Sequence, residues 1–399
     1  MKSVNKNVCV IGGGISGVFF AILLRKSINC KITIFERQNK ILKKLLQTGN
    51  GMCNLSNEEL DDPSVGVKSY NTDLILPTLE KFNLDKLIET MNSLGLMLTC
   101  DEDGRFYPFC KRAQSVADVL LNTLKRLDIK IEVDTEVIDI KKLSNKFVID
   151  TNSVTTSEKK SYSFDNVICA CGGKSSITFK NKIYQILIKN GLECSEFTPA
   201  LVGFKLKENV KPLSGLRMKA KVTLITGNKK QDMGRGEVIF KDDGISGIVI
   251  MDTSRYFNKY KASKLELDLL PDYKVEDVKD MISAYYEKFF SLEDAICGIV
   301  PKMIAHDLAS RSENIATLAY NMKHYLFNIL DTYPFENSQV TRGGIKLSEV
   351  DINTYQSIKM KGLYIIGETL DVDGKCGGFN IHFALASAYS CYKSVLKSL

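Results

Sequence analysis

Residues 8–36, VCVIGGGISGVFFAILLRKSINCKITIFE, constrain this chain more than any other stretch. They read as a short apolar strand, a glycine turn, a helix and a second strand that ends on an acid. Gly12, Gly14 and Gly17 stand at the spacing required where a strand turns sharply into a helix whose first amides hold a pyrophosphate. Gly12 permits the turn, Gly14 lets phosphate approach the backbone with no Cβ in the way, and Gly17 lets the helix lie close on the strand. Glu36 follows about 20 residues further on, at the tip of the second strand, where an acid meets the ribose hydroxyls of an adenosine. The pattern predicts a βαβ unit that holds an adenine dinucleotide. The same run is uncharged from residue 8 to residue 24 and has the length of the shortest membrane spans. Four of its residues are glycine and no small-residue cleavage site follows, so neither a span nor a signal peptide is expected.

A chain of 399 residues with 44% hydrophobic and 25% charged residues is long enough for two or three globular units. Its 11 cysteines form no CxxC pair and no cluster with histidine at zinc spacing, which predicts reduced thiols in a cytoplasmic protein and no metal site. Cys169 and Cys171 point to the same strand face, where a disulfide would be strained. The 54 basic and 47 acidic residues leave a net charge of +7, with the lysines scattered through the chain. A compositional bias explains that better than a nucleic-acid face, and a nucleic-acid partner is not expected.

Along the chain, Thr48, Gly49, Asn50 and Gly51 make a turn that suits either close approach to a flat ligand or an ordinary surface loop. Residues 74–94 have a helical pattern closed by Gly95, residues 100–108 resemble a hairpin, and residues 115–127 form an amphipathic helix. Residues 129–133 and 137–149 read as strands. A buried strand over residues 165–173 runs into Gly172 and Gly173, a second place where backbone passes close to something. From residue 194 short alternating strands argue for an antiparallel β-rich module to residue 271, followed by a helical part over residues 272–333, with residues 303–330 expected to be helix. Residues 362–390 then repeat the opening plan: an apolar strand, an exit at Gly367, a glycine- and acid-rich loop, and a final helix from Phe379. Asp373 in that loop can accept bonds from a polyol, and the helix start offers free amides to a developing negative charge.

The segments TGNGMCNLSN (residues 48–57), DGRFYP (103–108), PALV (199–202), GISG (244–247) and GETLDVDGKCGGFN (367–380), in this order, resemble the bacterial NAD(P)/FAD-dependent oxidoreductases, the aminoacetone-oxidase-like FAD-binding flavoproteins, a family that includes a bile-acid-intermediate reductase. The resemblance implies an α/β fold: a Rossmann-like FAD-binding domain of the glutathione-reductase type, formed by residues 1–193 and 334–399 and interrupted by an inserted domain at 194–333. It implies FAD, with Gly12, Gly14, Ile15, Ser16 and Gly17 on the pyrophosphate and Glu36 at the adenosine ribose. Thr48, Gly49, Asn50 and Gly51 would line the flavin side. Arg37, Lys44, Val137, Gly172, Gly173, Gly367, Glu368 and Gly377 complete the cofactor set, Asp373 meets the ribityl or phosphate region, and Gly378, Phe379 and Asn380 face the pyrimidine end of the ring. The chain departs from the family pattern at Leu42, where glycine is usual, at Met52 in place of arginine, in residues 174–181, and at His382, where glutamine is frequent.

The expected activity is hydride transfer between a reduced donor, flavin and a small organic substrate. With one adenine-dinucleotide fingerprint taken by FAD, NADH or NADPH would be a transient donor visiting from the insert side. No catalytic acid or base is assigned. His382 and Arg342 are the candidates for contact with substrate or flavin, although a packed or capping role is the first reading of His382. Two rivals are an RNA-associated or tRNA-modifying flavoprotein, against which stands the lack of a basic segment interleaved with aromatics, and a non-catalytic flavin-binding redox sensor.

Overall fold

A computed structural model describes residues 3–175 and 182–399. Of the stretch where the chain departs from its relatives, residues 176–181 lie outside the described residues. The chain divides into two compact units, Met1–Thr198 with Val340–Leu399, and Pro199–Gln339.

The first unit is built on a five-stranded parallel sheet. Its strands are β1 (Ser3–Ile11), β2 (Asn29–Phe35), β3 (Lys130–Glu132), β4 (Asn166–Cys169) and β5 (Leu363–Ile365), in the order β5-β4-β1-β2-β3. Val8 stands level with Ile32 on one side and Asn166 on the other. Parallel strands covered on both faces read as continuous apolar runs, and Val8, Cys9 and Val10 are fully buried. The helix α1 (Ile15–Ser27) buries every residue from Ser16 to Leu24, because it lies between this sheet and the C-terminal helix Phe379–Ser398. That explains the uncharged run: a helix apolar all round is an interior helix. Among the described residues no helix is long and apolar enough to cross a membrane.

The stretch expected as one helix over residues 74–94 is two, Leu76–Lys81 and Leu84–Leu94, because the Asn83 side chain accepts from Lys86 N and caps a new start. The limits expected for the insert, 194 and 333, lie a few residues before those of the second unit. Residues 193–195 stay with the first unit by pairing with its returning chain: Ser195 N donates to Gly344 O at 2.8 Å and Lys346 N to Glu193 O at 3.1 Å.

The second unit is a closed six-stranded antiparallel barrel in the order Phe204–Leu206, Gly244–Ser246, Lys229–Lys241, Arg217–Thr226, Ser263–Asp268, Tyr325–Thr332. Phe204, Val222, Phe240, Leu265 and Phe327 fill it, each fully buried. Helices Val275–Phe289, Leu292–Ile296, Lys302–Ser310 and Ile315–Lys323 belong to the same unit. The expected helix over residues 303–330 is corrected at its end. Tyr325, Phe327 and Ile329 alternate inward as the strand that closes the barrel. The outward positions hold Leu326 and Leu330, so the period of two is hidden in an almost wholly apolar run.

Candidate functional site

At the end of β1 the chain turns at Gly12, whose φ is +108° and whose amide donates to Phe35 O at 2.8 Å. A Cβ there would lie 2.3 Å from Ala170 O, and one at Gly17 would lie 2.3 Å from Gly12 O, so both glycines serve close packing within the protein. Gly14 differs. Its φ is −75°, and the nearest atom to a Cβ would be Ala170 O at 4.0 Å, so it faces open space. α1 begins there with no side-chain cap and no acid in its first turn. The first amides, those of Ile15, Ser16 and Gly17, are therefore available to an anion.

Glu36 accepts from Gly13 N through Oε2 and from Gln38 N through Oε1, each at 2.8 Å. These bonds set the carboxylate beside the glycine turn, and each oxygen keeps a lone pair for a hydroxyl. Arg37 follows, partly exposed. Thr135 N donates to Glu36 O at 2.9 Å, which brings the start of the strand Thr135–Leu143 to the tip of β2; Val137, 5% exposed, precedes a register shift there.

The C-terminal motif meets this anchor directly. A Cβ on Gly367 would lie 2.7 Å from Ser16 Oγ, and Gly367 N donates to Ser387 Oγ at 3.0 Å. Next to it Glu368 closes a polar cluster. Its Oε1 accepts from Thr341 N at 2.8 Å and Ser175 Oγ at 3.1 Å, while Oε2 pairs with Lys44 Nζ, which also donates to Ser175 Oγ at 2.8 Å. Gly173 lies against Thr341, and Gly172 N donates to Thr369 Oγ1 at 3.2 Å. Lys44 and Glu368, both expected at the cofactor, are joined to each other, and four segments distant in sequence are tied at one point.

The turn Thr48–Gly51 is a short 3-10 element with left-handed backbone at Gly49 and Asn50, and Gly51 has nothing within 4 Å of where a Cβ would stand. It leads into residues 54–57, which pack on the glycines before the C-terminal helix. Gly378 has φ +99°, and a Cβ there would lie 2.3 Å from Ser56 O; Asn57 Nδ2 donates to Gly377 O at 3.1 Å. The C-terminal helix starts at Gly378 with no side-chain cap and no acid in its first turn, leaving the amides of Phe379, Asn380 and Ile381 open. The Asn380 side chain is spent on the loop, accepting from Gly374 N at 2.8 Å and donating to Gly374 O at 2.9 Å, so only its backbone is offered. Asp373, 1% exposed, is clasped by Asn71, whose Oδ1 accepts from Asp373 N at 3.1 Å.

His382, weighed as a packed residue or a contact to substrate or flavin, lies in the interior. It is fully buried, its Nε2 is 2.9 Å from Phe82 O and its Nδ1 2.9 Å from Ser56 Oγ. A carbonyl only accepts, so Nε2 carries the proton and Nδ1 accepts from the serine. Burial pushes its pKa down to about 4. Arg342 is exposed at the end of the strand Val340–Arg342. Leu42 shows what its departure from glycine entails: φ is +62°, the left-handed region, yet the side chain is 2% exposed. Relieving that strain is worth about 1–2 kcal/mol, whereas removing a buried leucine loses about 2–5 kcal/mol. Leu42→Gly is therefore expected to destabilise the protein by about 1–3 kcal/mol, measured by urea unfolding; a more stable variant would show that strain dominates.

Sequence reasoning missed Ser175, Thr341, Tyr70 and Asn71. Tyr70 Oη donates to Phe379 O at 2.8 Å, and such partners some 300 residues apart leave no local signal. Asn54 lies within a motif already singled out. Its Oδ1 is buried without a hydrogen-bond partner among the described residues and would lie 2.6 Å from a Cβ on Gly378. The open Gly14, two uncapped helix starts, the space at Gly51 and the unanswered Asn54 acceptor fit a long dinucleotide with a polar ring system.

Comparison with known proteins gives the family. The chain is 32% identical over 403 residues to a 3-dehydro-bile acid delta(4,6)-reductase of Clostridium scindens, covering 95% of this chain and 96% of the relative. It is 27% identical over 420 residues to a ribosomal RNA dihydrouridine synthase of Haemophilus influenzae, covering 99% of each. In fold it is similar to a 3-ketosteroid-delta4-(5alpha)-dehydrogenase of Rhodococcus jostii, with a TM-score of 0.54 at 12% identity over 99% of this chain and 97% of that one. The family described as the HI0933-like protein Rossmann domain matches residues 6–394, and this chain belongs to it.

Proposed function

We propose that this chain reduces a carbon–carbon double bond conjugated to a carbonyl. It is an FAD-dependent oxidoreductase. The observation that carries the reading is the pair of uncapped helix starts in one unit, at Gly14 and Gly378, joined where Gly367 meets Ser16. The first holds a pyrophosphate on the amides of residues 15–17, with Glu36 on the ribose. The second sets the amides of residues 379–381 and the Asn54 carbonyl against the ring. Bound there, FAD supplies a hydride acceptor and donor whose potential the protein tunes. The helix start at Gly378 favours negative charge on the ring, and the Lys44–Glu368 pair keeps the two halves of the site in register.

The substrate class rests on what the two relatives have in common. A 3-oxo steroid with Δ4,6 unsaturation and a uracil ring both present a double bond conjugated to a carbonyl. The donor is NADH or NADPH. A second reading has RNA carry that double bond, and the full-length likeness to the ribosomal RNA dihydrouridine synthase favours it.

The test is anaerobic mixing. Purified protein is expected to be yellow, to release FAD on denaturation, to bleach with NADH or NADPH, and to regain its colour with 4-androstene-3,17-dione or with a uridine-containing RNA. Colourless protein, or bleaching by neither nicotinamide, overturns the reading; recovery of colour with only one acceptor decides between the two substrates.

A further inference from the structure

Tyr70 is buried against the loop that leads into the C-terminal helix, and its hydroxyl ends on the first carbonyl of that helix. Its backbone forms an isolated antiparallel bridge with Gly374. The residues on either side extend the pairing, Lys375 N donating to Ser69 O and Asn71 N to Asp373 O, each at 2.9 Å. A Cβ on Gly374 would lie 3.1 Å from the Tyr70 ring, so the missing side chain is what lets the ring pass under the loop. The ring stands edge-on to Phe379 at 5.9 Å between centroids, and 6.3 Å from Phe383. So placed, Tyr70 Oη donates to Phe379 O at 2.8 Å. That carbonyl already has a partner inside the helix, the Phe383 amide one turn on. The hydroxyl is therefore a second donor on one oxygen.

A second donor matters for what it does to the other end of the peptide. Phe379 O and Asn380 N belong to one peptide group, and drawing electron density toward the oxygen makes the N–H a stronger donor. That N–H is one of the open amides at the helix start. The Asn380 side chain, held by Gly374 and Lys375, does not cap it. We propose that Tyr70 is a positioning residue for the flavin: through the Phe379–Asn380 peptide it aims and strengthens an amide at the ring, and so favours reduced, negatively charged flavin over oxidised flavin. This role rests on the ring lying at Gly378 as proposed above, and names the residue that sets how strongly that helix start acts. Tyr355 supplies the contrast. Its ring also packs on Phe383, at 6.2 Å, and its hydroxyl is also buried, but that hydroxyl lies 2.6 Å from Thr78 Oγ1 on the helix Leu76–Lys81 and not on the helix start.

The experiment is a redox titration of the bound FAD against a reference dye, with Tyr70→Phe and Tyr355→Phe beside the parent. Cooperative strengthening of about 10–30% per bond, on a charge-assisted bond that carries a factor of about 10–150, predicts that Tyr70→Phe loses about two- to fourfold of the preference for reduced flavin. Its midpoint potential should then fall by about 9–18 mV, at about 30 mV per tenfold for two electrons. Affinity for oxidised FAD, whose ring is neutral, should change by about twofold at most. Tyr355→Phe should keep the parent potential. A Tyr70→Phe protein with the parent potential overturns the role of Tyr70, even where its melting temperature falls. So does an equal drop in Tyr355→Phe, which would make the effect one of loosened packing. A parent protein that holds no FAD removes the flavin reading itself, a failure distinct from an unshifted potential.

Discussion

A Gly14→Val chain is expected to fold and yet to lose FAD, with an affinity at least about 100-fold below the parent. The residue sits at φ −75° and ψ 177°, extended backbone that valine adopts readily, and the nearest protein atom to its Cβ is Ala170 O at 4.0 Å. Changing the residue before a helix from glycine to valine costs about 1 kcal/mol of stability. The methyl groups, however, project into the space before Ile15, Ser16 and Gly17. Losing two charge-assisted bonds to phosphate at about 1.5–3 kcal/mol each gives the predicted loss. Gly17→Val should behave oppositely, because its Cβ would strike Gly12 O at 2.3 Å and Val10 Cγ1 at 2.9 Å, so that folding itself fails. Circular dichroism and FAD titration separate the two. A Gly14→Val protein that binds FAD like the parent removes the pyrophosphate from α1.

His382 should make the protein acid-sensitive in a defined window. Its pKa lies near 4 in the folded chain, against an ordinary value of 6.5, because burial disfavours the charged ring. Above pH 6.5 both states are neutral and nothing is lost. As pH falls from 6.5 to 4 the unfolded chain takes up a proton that the folded chain refuses, so stability declines, by about 2.5 kcal/mol at pH 4.5. His382→Gln can keep both hydrogen bonds, accepting from Ser56 Oγ and donating to Phe82 O, and carries no titrating group. At pH 7.5 it should match the parent to within about 1.5 kcal/mol, and at pH 4.5 it should exceed it by about 2.5 kcal/mol relative to that difference. Parallel pH profiles from urea unfolding would show that the ring does not titrate in this way. The same variant should retain FAD, since His382 joins the strand Ser56–Asn57 to Phe82 and reaches no open surface.

The parallel sheet and the two helix starts were legible because each follows from local spacing: an apolar run, a glycine turn, a helix. Leu42, by contrast, looked like a lost glycine and proved to hold the left-handed conformation anyway, with burial of its side chain offsetting the strain. His382 stood one turn into the right helix, but which way a side chain faces depends on Phe82 and Ser56, far away in sequence. The Lys44–Glu368–Ser175–Thr341 cluster was invisible for the same reason: no segment contains more than one of its members. The closing strand of the barrel was misread because apolar residues on both of its faces erase the alternation.

The first unit is assembled from two segments far apart in sequence, with β5 completing its sheet and the helix Phe379–Ser398 covering α1. During synthesis α1 emerges early with Val18–Leu24 bared on the side that the last helix will cover. At about 5–20 residues per second the wait is roughly 20–75 s. The barrel, an uninterrupted stretch, is whole before that wait ends. A nascent chain therefore carries a finished barrel while the βαβ unit still bares apolar surface, so aggregation from that surface is a hazard until residues 363–398 have emerged.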